Sequence, residues 1–131
     1  MQFQLKIIGI ILVTLAIVHV IFPKYFNWKN ELKSLSLINK QMMYVHTFFI
    51  ALIVLLMGLL CFTSSLEIEY TNFGKRISIG LGIFWGIRFL IQFFGYSDEL
   101  WKGKKLETAI HILFSIMWAY FTIIFFIIAF F

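Results

Sequence analysis

The amino-acid sequence predicts an all-α integral membrane protein. The expected architecture is an antiparallel four-helix transmembrane bundle, with a short interfacial amphipathic helix between helices 1 and 2. Three observations carry this expectation. Hydrophobic residues make up 62% of the 131 positions and charged residues only 13%, whereas a soluble domain is about a quarter charged. The polar residues are gathered so that four apolar runs remain, each near the ~20 residues that span a bilayer. Those runs lack the period-two alternation of barrel strands, and backbone groups in lipid must be satisfied internally, which leaves helices. Water-soluble globular, disordered and nucleic-acid-binding classes are excluded on the same grounds. The residues 1–131 are read as a single transmembrane domain.

The first span covers about residues 3–22, with Thr14 and His19 as polar interruptions. Met1 to Lys6 and the run that follows resemble a signal peptide. No small-x-small cleavage site occurs before Pro23, so this run is read as a retained span. Between Pro23 and Gln41, Tyr25, Trp28, Leu32 and Leu35 recur at helical spacing, with Lys24, Lys29 and Lys33 at other positions. This pattern predicts the amphipathic helix, lying in the headgroup layer with Asn27 as its N-cap. The second span covers about 42–62, interrupted by Tyr44, His46 and Thr47. Residues 63–76 read as a turn-rich loop. The third span, about 77–95, carries Arg88 and Gln92. In the third connection Ser97 is placed to cap one helical turn, with Asp98 and Glu99 near the positive end of its dipole. The fourth span, about 106–131, contains Glu107, Thr108, His111, Ser115 and Thr122. Trp28 and Trp101 read as interface anchors.

Basic residues set the expected orientation. Lys24, Lys29, Lys33 and Lys40 lie in the first connection and Lys102, Lys104 and Lys105 in the third, against Lys6, Lys75 and Arg76 on the other side. The positive-inside rule therefore places both termini outside the cytoplasm, with a bacterial inner (plasma) membrane as the expected location. The formal net charge of +5 reads as contact with anionic lipid headgroups.

Three histidines and one arginine fall within spans, and such residues are functional-site candidates by default. At 1.5 Å per residue, His19 lies about 7–8 Å from Lys24, His46 about 9 Å from Lys40, His111 about 9 Å from Lys105, and Arg88 about 12 Å from Tyr96. All four lie nearer the proposed cytoplasmic face. Helical phase aligns Trp85, Arg88, Gln92 and Tyr96 on span three, and Glu107, His111, Ser115, Trp118 and Thr122 on span four. Both stripes are expected to face the bundle interior. An Arg88–Glu107 ion pair that fixes packing is the main structural explanation for Arg88.

The expected function is accordingly a small polytopic membrane protein with a polar His/Arg site in the cytoplasmic half of the bundle. Its most specific forms are a haem b site, with His46 and His111 as axial ligands and Arg88 and Gln92 in support, and a divalent transition-metal site of His19, His46, His111 and Glu107. A lipid or quinone site built on Arg88 is one alternative. The other is a non-catalytic subunit or assembly factor of a larger membrane complex, or a homo-oligomer. No H-E-x-x-H, C-x-x-C-H or phosphate-cradling glycine loop occurs, and no nucleophile pattern is readable, so a non-enzyme is favoured. Cys61 reads as a small buried hydrophobe, and Met42, Met43 and Met57 as gap-fillers. Gly82 and Gly86 form a G-x-x-x-G pair, expected to serve packing within the chain.

Overall fold

The computed structural model describes all 131 residues. Every regular element is helical. Four helices are long and apolar enough to cross a membrane: α1 (Gln2–His19), α4 (Leu37–Thr63), α6 (Asn72–Phe94) and α7 (Lys105–Phe130). Between them lie the short helices α2 (Phe22–Tyr25), α3 (Trp28–Glu31) and α5 (Ser65–Tyr70), and a 3-10 turn at Asp98–Leu100. The chain forms two compact units, one of residues Phe3–Ser65 and one of Leu66–Phe131 with Met1 and Gln2.

In the first unit, α1 buries one stripe, Leu5, Ile8, Leu12 and Leu15, at the three- and four-residue spacing of a helix face. The helix α4 approaches α1 at a pair of glycines. A Cβ added at Gly9 would lie 2.7 Å from the Gly58 carbonyl, and one added at Gly58 would lie 2.9 Å from the Gly9 carbonyl. Backbones meet there because neither residue has a side chain.

The first connection departs from expectation. The single amphipathic helix is replaced by two single turns. Pro23 has no N–H to give the carbonyl of His19, so α1 ends there, while proline is tolerated in the first turn of α2. Asn27 then adopts a left-handed conformation, φ 54° and ψ 47°, which separates α2 from α3. Asparagine accepts this conformation more readily than most residues. Its side chain does not cap α3; its Oδ1 instead accepts from Asn30 Nδ2 at 3.1 Å. Trp28 is buried and packs edge-on against Tyr44 with ring centroids 5.3 Å apart. Tyr25 and Phe26 are the exposed aromatics of this segment. Ser36 caps α4, accepting from Asn39 N at 3.4 Å. The helix thus starts five residues before the apolar run, in the polar stretch that carries Asn39 and Lys40.

In the second unit, the expected loop at 63–76 is largely helical. Thr71 divides α5 from α6 by capping α6, its Oγ1 accepting from Gly74 N at 2.9 Å. Gly74 lies against the backbone of Glu67 and Ile68, where no Cβ fits. After α6 the chain turns through residues 95–104 and returns as α7. The pairs Gly82–Phe126, Gly86–Thr122, Trp85–Trp118 and Gln92–His111 define an antiparallel hairpin. A Cβ at Gly82 would lie 2.9 Å from the Phe126 ring, and one at Gly86 would lie 3.4 Å from Thr122 Cγ2. The G-x-x-x-G pair therefore faces α7 of the same chain. Trp85, Trp118, Phe121 and Phe125 form the buried aromatic core of the unit.

Several side-chain hydroxyls within the long helices are satisfied locally. Thr14, Ser78, Ser115 and Thr122 each donate to the carbonyl four residues earlier, at 2.7–2.9 Å. Such back-bonding closes a hydroxyl within its own helix, as apolar surroundings require.

Candidate functional site

The six candidate residues divide between the two units. His19 and His46 belong to the first, and Arg88, Gln92, Glu107 and His111 to the second.

In the first unit each imidazole is closed on its own helix. Nδ1 of His19 is 2.7 Å from the Leu15 carbonyl, and its ring lies against Phe22. Nδ1 of His46 is 2.8 Å from the Met42 carbonyl. A carbonyl only accepts, so both rings carry their proton on Nδ1.

In the second unit the candidates are wired across the hairpin. Arg88 is half-buried, eight residues before Tyr96 at the end of α6. Its guanidinium lies between two rings, 5.5 Å from the Tyr96 centroid and 5.1 Å from the Trp118 centroid. One guanidinium nitrogen donates to Gln92 Oε1 at 3.2 Å. No carboxylate pairs with Arg88. Glu107, its expected partner, is exposed in the first turn of α7 and forms no ion pair with it. Ring faces supply ~0.5–2 kcal/mol each. They do not replace a counter-charge.

Gln92 is buried and joins the two helices. Its Nε2 is 2.9 Å from His111 Nδ1. With Oε1 already accepting from Arg88, the amide presents its NH2 group to the imidazole. Nδ1 must then accept, and the His111 proton sits on Nε2. Trp101 stacks on this ring at 3.9 Å with 10° between planes, and Phe93 meets it edge-on. Thr108 Oγ1 donates to the Trp101 carbonyl at 2.6 Å, tying the turn down to α7. Ser97 caps that turn as expected, accepting from Glu99 N at 3.3 Å. Beneath Arg88, Trp85 and Trp118 stack nearly parallel, 4.9 Å apart, and both buried indole N–H groups lack an acceptor.

This arrangement bears on the cofactor chemistries. In this network His111 has no free lone pair, because Nδ1 is engaged by Gln92 and Nε2 is protonated. Axial ligation of a haem iron by His111 would require dismantling the network. No group of three His, Cys, Asp or Glu side chains within either unit is placed to hold a metal ion. What the hairpin offers is a set of donors and one cation. Arg88 nitrogens other than the one bonded to Gln92, and Nε2 of His111, make no hydrogen bond and are not enclosed.

Reading the sequence alone gave Gln92 a supporting role, whereas it is the bridge. Trp101 was expected at an interface, and its stacking on His111 had no signal in residue spacing. Tyr96 was signalled by the stripe it shares with Arg88. No known protein family, curated protein or solved structure matches the chain.

Proposed function

We propose that this chain is a polytopic integral membrane protein whose α6–α7 hairpin binds an amphiphile with an acidic head and an apolar tail. The reading retains a polar Arg/His site near one end of the membrane and favours a lipid-type ligand over haem or a metal ion. One observation carries it: Arg88 bears a permanent charge on a membrane-length helix and has only a neutral amide and two ring faces as partners. An arginine costs roughly 2.5–3.5 kcal/mol at the centre of a span on translocon scales, and less toward the end where Arg88 lies. An anionic ligand would offset that cost, and the guanidinium binds oxyanions with good geometry. The apolar helix surfaces beside it suit an acyl tail.

The test is the lipid content of protein purified in mild detergent. Mass spectrometry should find an acidic amphiphile enriched with the wild-type chain, about tenfold less with Arg88→Gln, and substantially retained with Arg88→Lys. A Soret band, stoichiometric metal, or equal lipid content in wild type and Arg88→Gln would overturn the reading. The proposed orientation puts the 95–104 turn and the 20–36 connection in the cytoplasm, with both termini on the opposite side of the plasma membrane. Cysteines placed at Lys33 and Glu69 should then label from opposite sides, and labelling from one side would refute it.

A further inference from the structure

We infer that His111 is a second ligand-binding residue of this site, and that the ligand is a phospholipid with an anionic phosphodiester held by Arg88 and the His111 Nε2–H. The inference rests on the proposed binding of an acidic amphiphile at Arg88. It adds which head group is bound and which residue helps to hold it.

Gln92 sets the polarity of the site. Its amide has two ends of opposite character, and Arg88 engages the accepting end. The donating end therefore meets His111 Nδ1, and this fixes the tautomer that carries hydrogen on Nε2. That N–H makes no hydrogen bond within the protein and is not enclosed. A donor at the surface of a membrane-length helix needs an acceptor, and hydrocarbon supplies none. His19 and His46 illustrate the alternative, since both spend their N–H on a carbonyl of their own helix. His111 has instead turned its acceptor inward to Gln92 and left its donor outward.

The chemistry on offer is then uniform. Arg88 and His111 flank one buried amide, and each presents N–H groups with no competing acceptor. A phosphodiester complements such a surface: it has acceptor oxygens, one negative charge and no donor of its own. Arg88 would supply the charge and His111 a directed hydrogen bond. A zwitterionic head group is less suitable, because its ammonium would enter the neighbourhood of Arg88. Position also favours a lipid over a free ion. The guanidinium lies between the Tyr96 and Trp118 rings, six residues from the C-terminal end of α6, where a head group can be met while its tail lies along the apolar helix surface. Trp101 covers one face of the imidazole, so the ring is held in place before the head group arrives.

Gln92 acts as a positioning residue, since it touches both binding residues. Replacing it with leucine frees the His111 tautomer and removes an anchor of Arg88. Replacing it with glutamate supplies Arg88 with an internal carboxylate that competes with the ligand.

The experiment uses the full chain in nanodiscs of phosphatidylcholine doped with phosphatidylglycerol, with bound lipid read by native mass spectrometry after release. Wild type should retain phosphatidylglycerol over phosphatidylcholine. His111→Phe, which keeps a ring for Trp101, should weaken phosphatidylglycerol retention about tenfold, and His111→Gln, which keeps an N–H donor, should recover part of it. Gln92→Glu should abolish the preference. Inorganic phosphate added to detergent-solubilised protein should not displace the lipid; displacement would mean that the site takes free phosphate rather than a phospholipid. Side-chain nitrogen NMR of the wild type gives a readout independent of variant folding. It should show His111 protonated on Nε2, with that resonance shifting on addition of phosphatidylglycerol and not of phosphatidylcholine. An Nδ1–H tautomer, or no shift, overturns the inference. If His111→Phe binds as wild type while Arg88→Gln does not, the His111 role fails and the Arg88 reading stands. If neither variant loses lipid, both fail.

Discussion

His46 and His111 look alike in sequence. Each follows a lysine by six residues, and each lies near the start of a long apolar helix. Their surroundings differ. His46 is exposed and donates to the Met42 carbonyl within one turn of α4, so its polarity is consumed locally. His111 is half-buried, accepts from Gln92 of a different helix, and stacks under Trp101. A polar residue closed on its own helix asks nothing of its neighbours. One wired to a second helix depends on the register of that pair and points its remaining atoms in a definite direction.

The two surroundings depend most strongly on the helix crossings. Gly82→Leu should separate α6 from α7, because a Cβ there already reaches 2.9 Å from the Phe126 ring. Overpacking of this kind costs about 1–3 kcal/mol or more. Thermal unfolding in detergent should show the loss, together with a change at His111 in side-chain NMR while His46 is unaffected. Gly58→Leu should show the converse, since its Cβ would lie 2.9 Å from the Gly9 carbonyl. Equal effects on both histidines from either variant would contradict their separate wiring.

A smaller effect comes from Gln92→Leu. It leaves the Arg88 guanidinium and His111 Nδ1 without their shared partner, a loss of about 1–3 kcal/mol, visible as a lower unfolding midpoint. The smallest contrast is between the histidines themselves. His111→Phe should destabilise by about 1 kcal/mol through the lost bond to Gln92, whereas the exposed His46→Phe should stay within ~0.5 kcal/mol. A larger effect at His46 than at His111 would reverse the ranking drawn from their hydrogen bonds.

The helical class was legible because composition and four apolar runs dominate it, and the Ser97 cap because one residue type at one position carries the mechanism. The first connection was misread for a definite reason. Its apolar spacing is helical, but spacing does not register that Pro23 ends the ladder or that Asn27 turns left-handed. The helix α5 was hidden by Ser, Thr and Gly residues that also mark turns. In the site, the stripe Trp85–Arg88–Gln92–Tyr96 was visible because it lies on one helix. Its match to His111 depends on the register of α6 against α7, which is set by Gly82, Gly86 and the rings they meet. That register is a tertiary property, and no local pattern encodes it.

The indoles of Trp85 and Trp118, 4.9 Å apart with 8° between their planes, make the hairpin its own optical gauge. Two identical chromophores at that separation couple their excited states, so the ultraviolet absorption and circular dichroism of the indoles should change by more than one ring's share when either is replaced. Closure of α6 on α7 can therefore be followed in lipid without attaching a label.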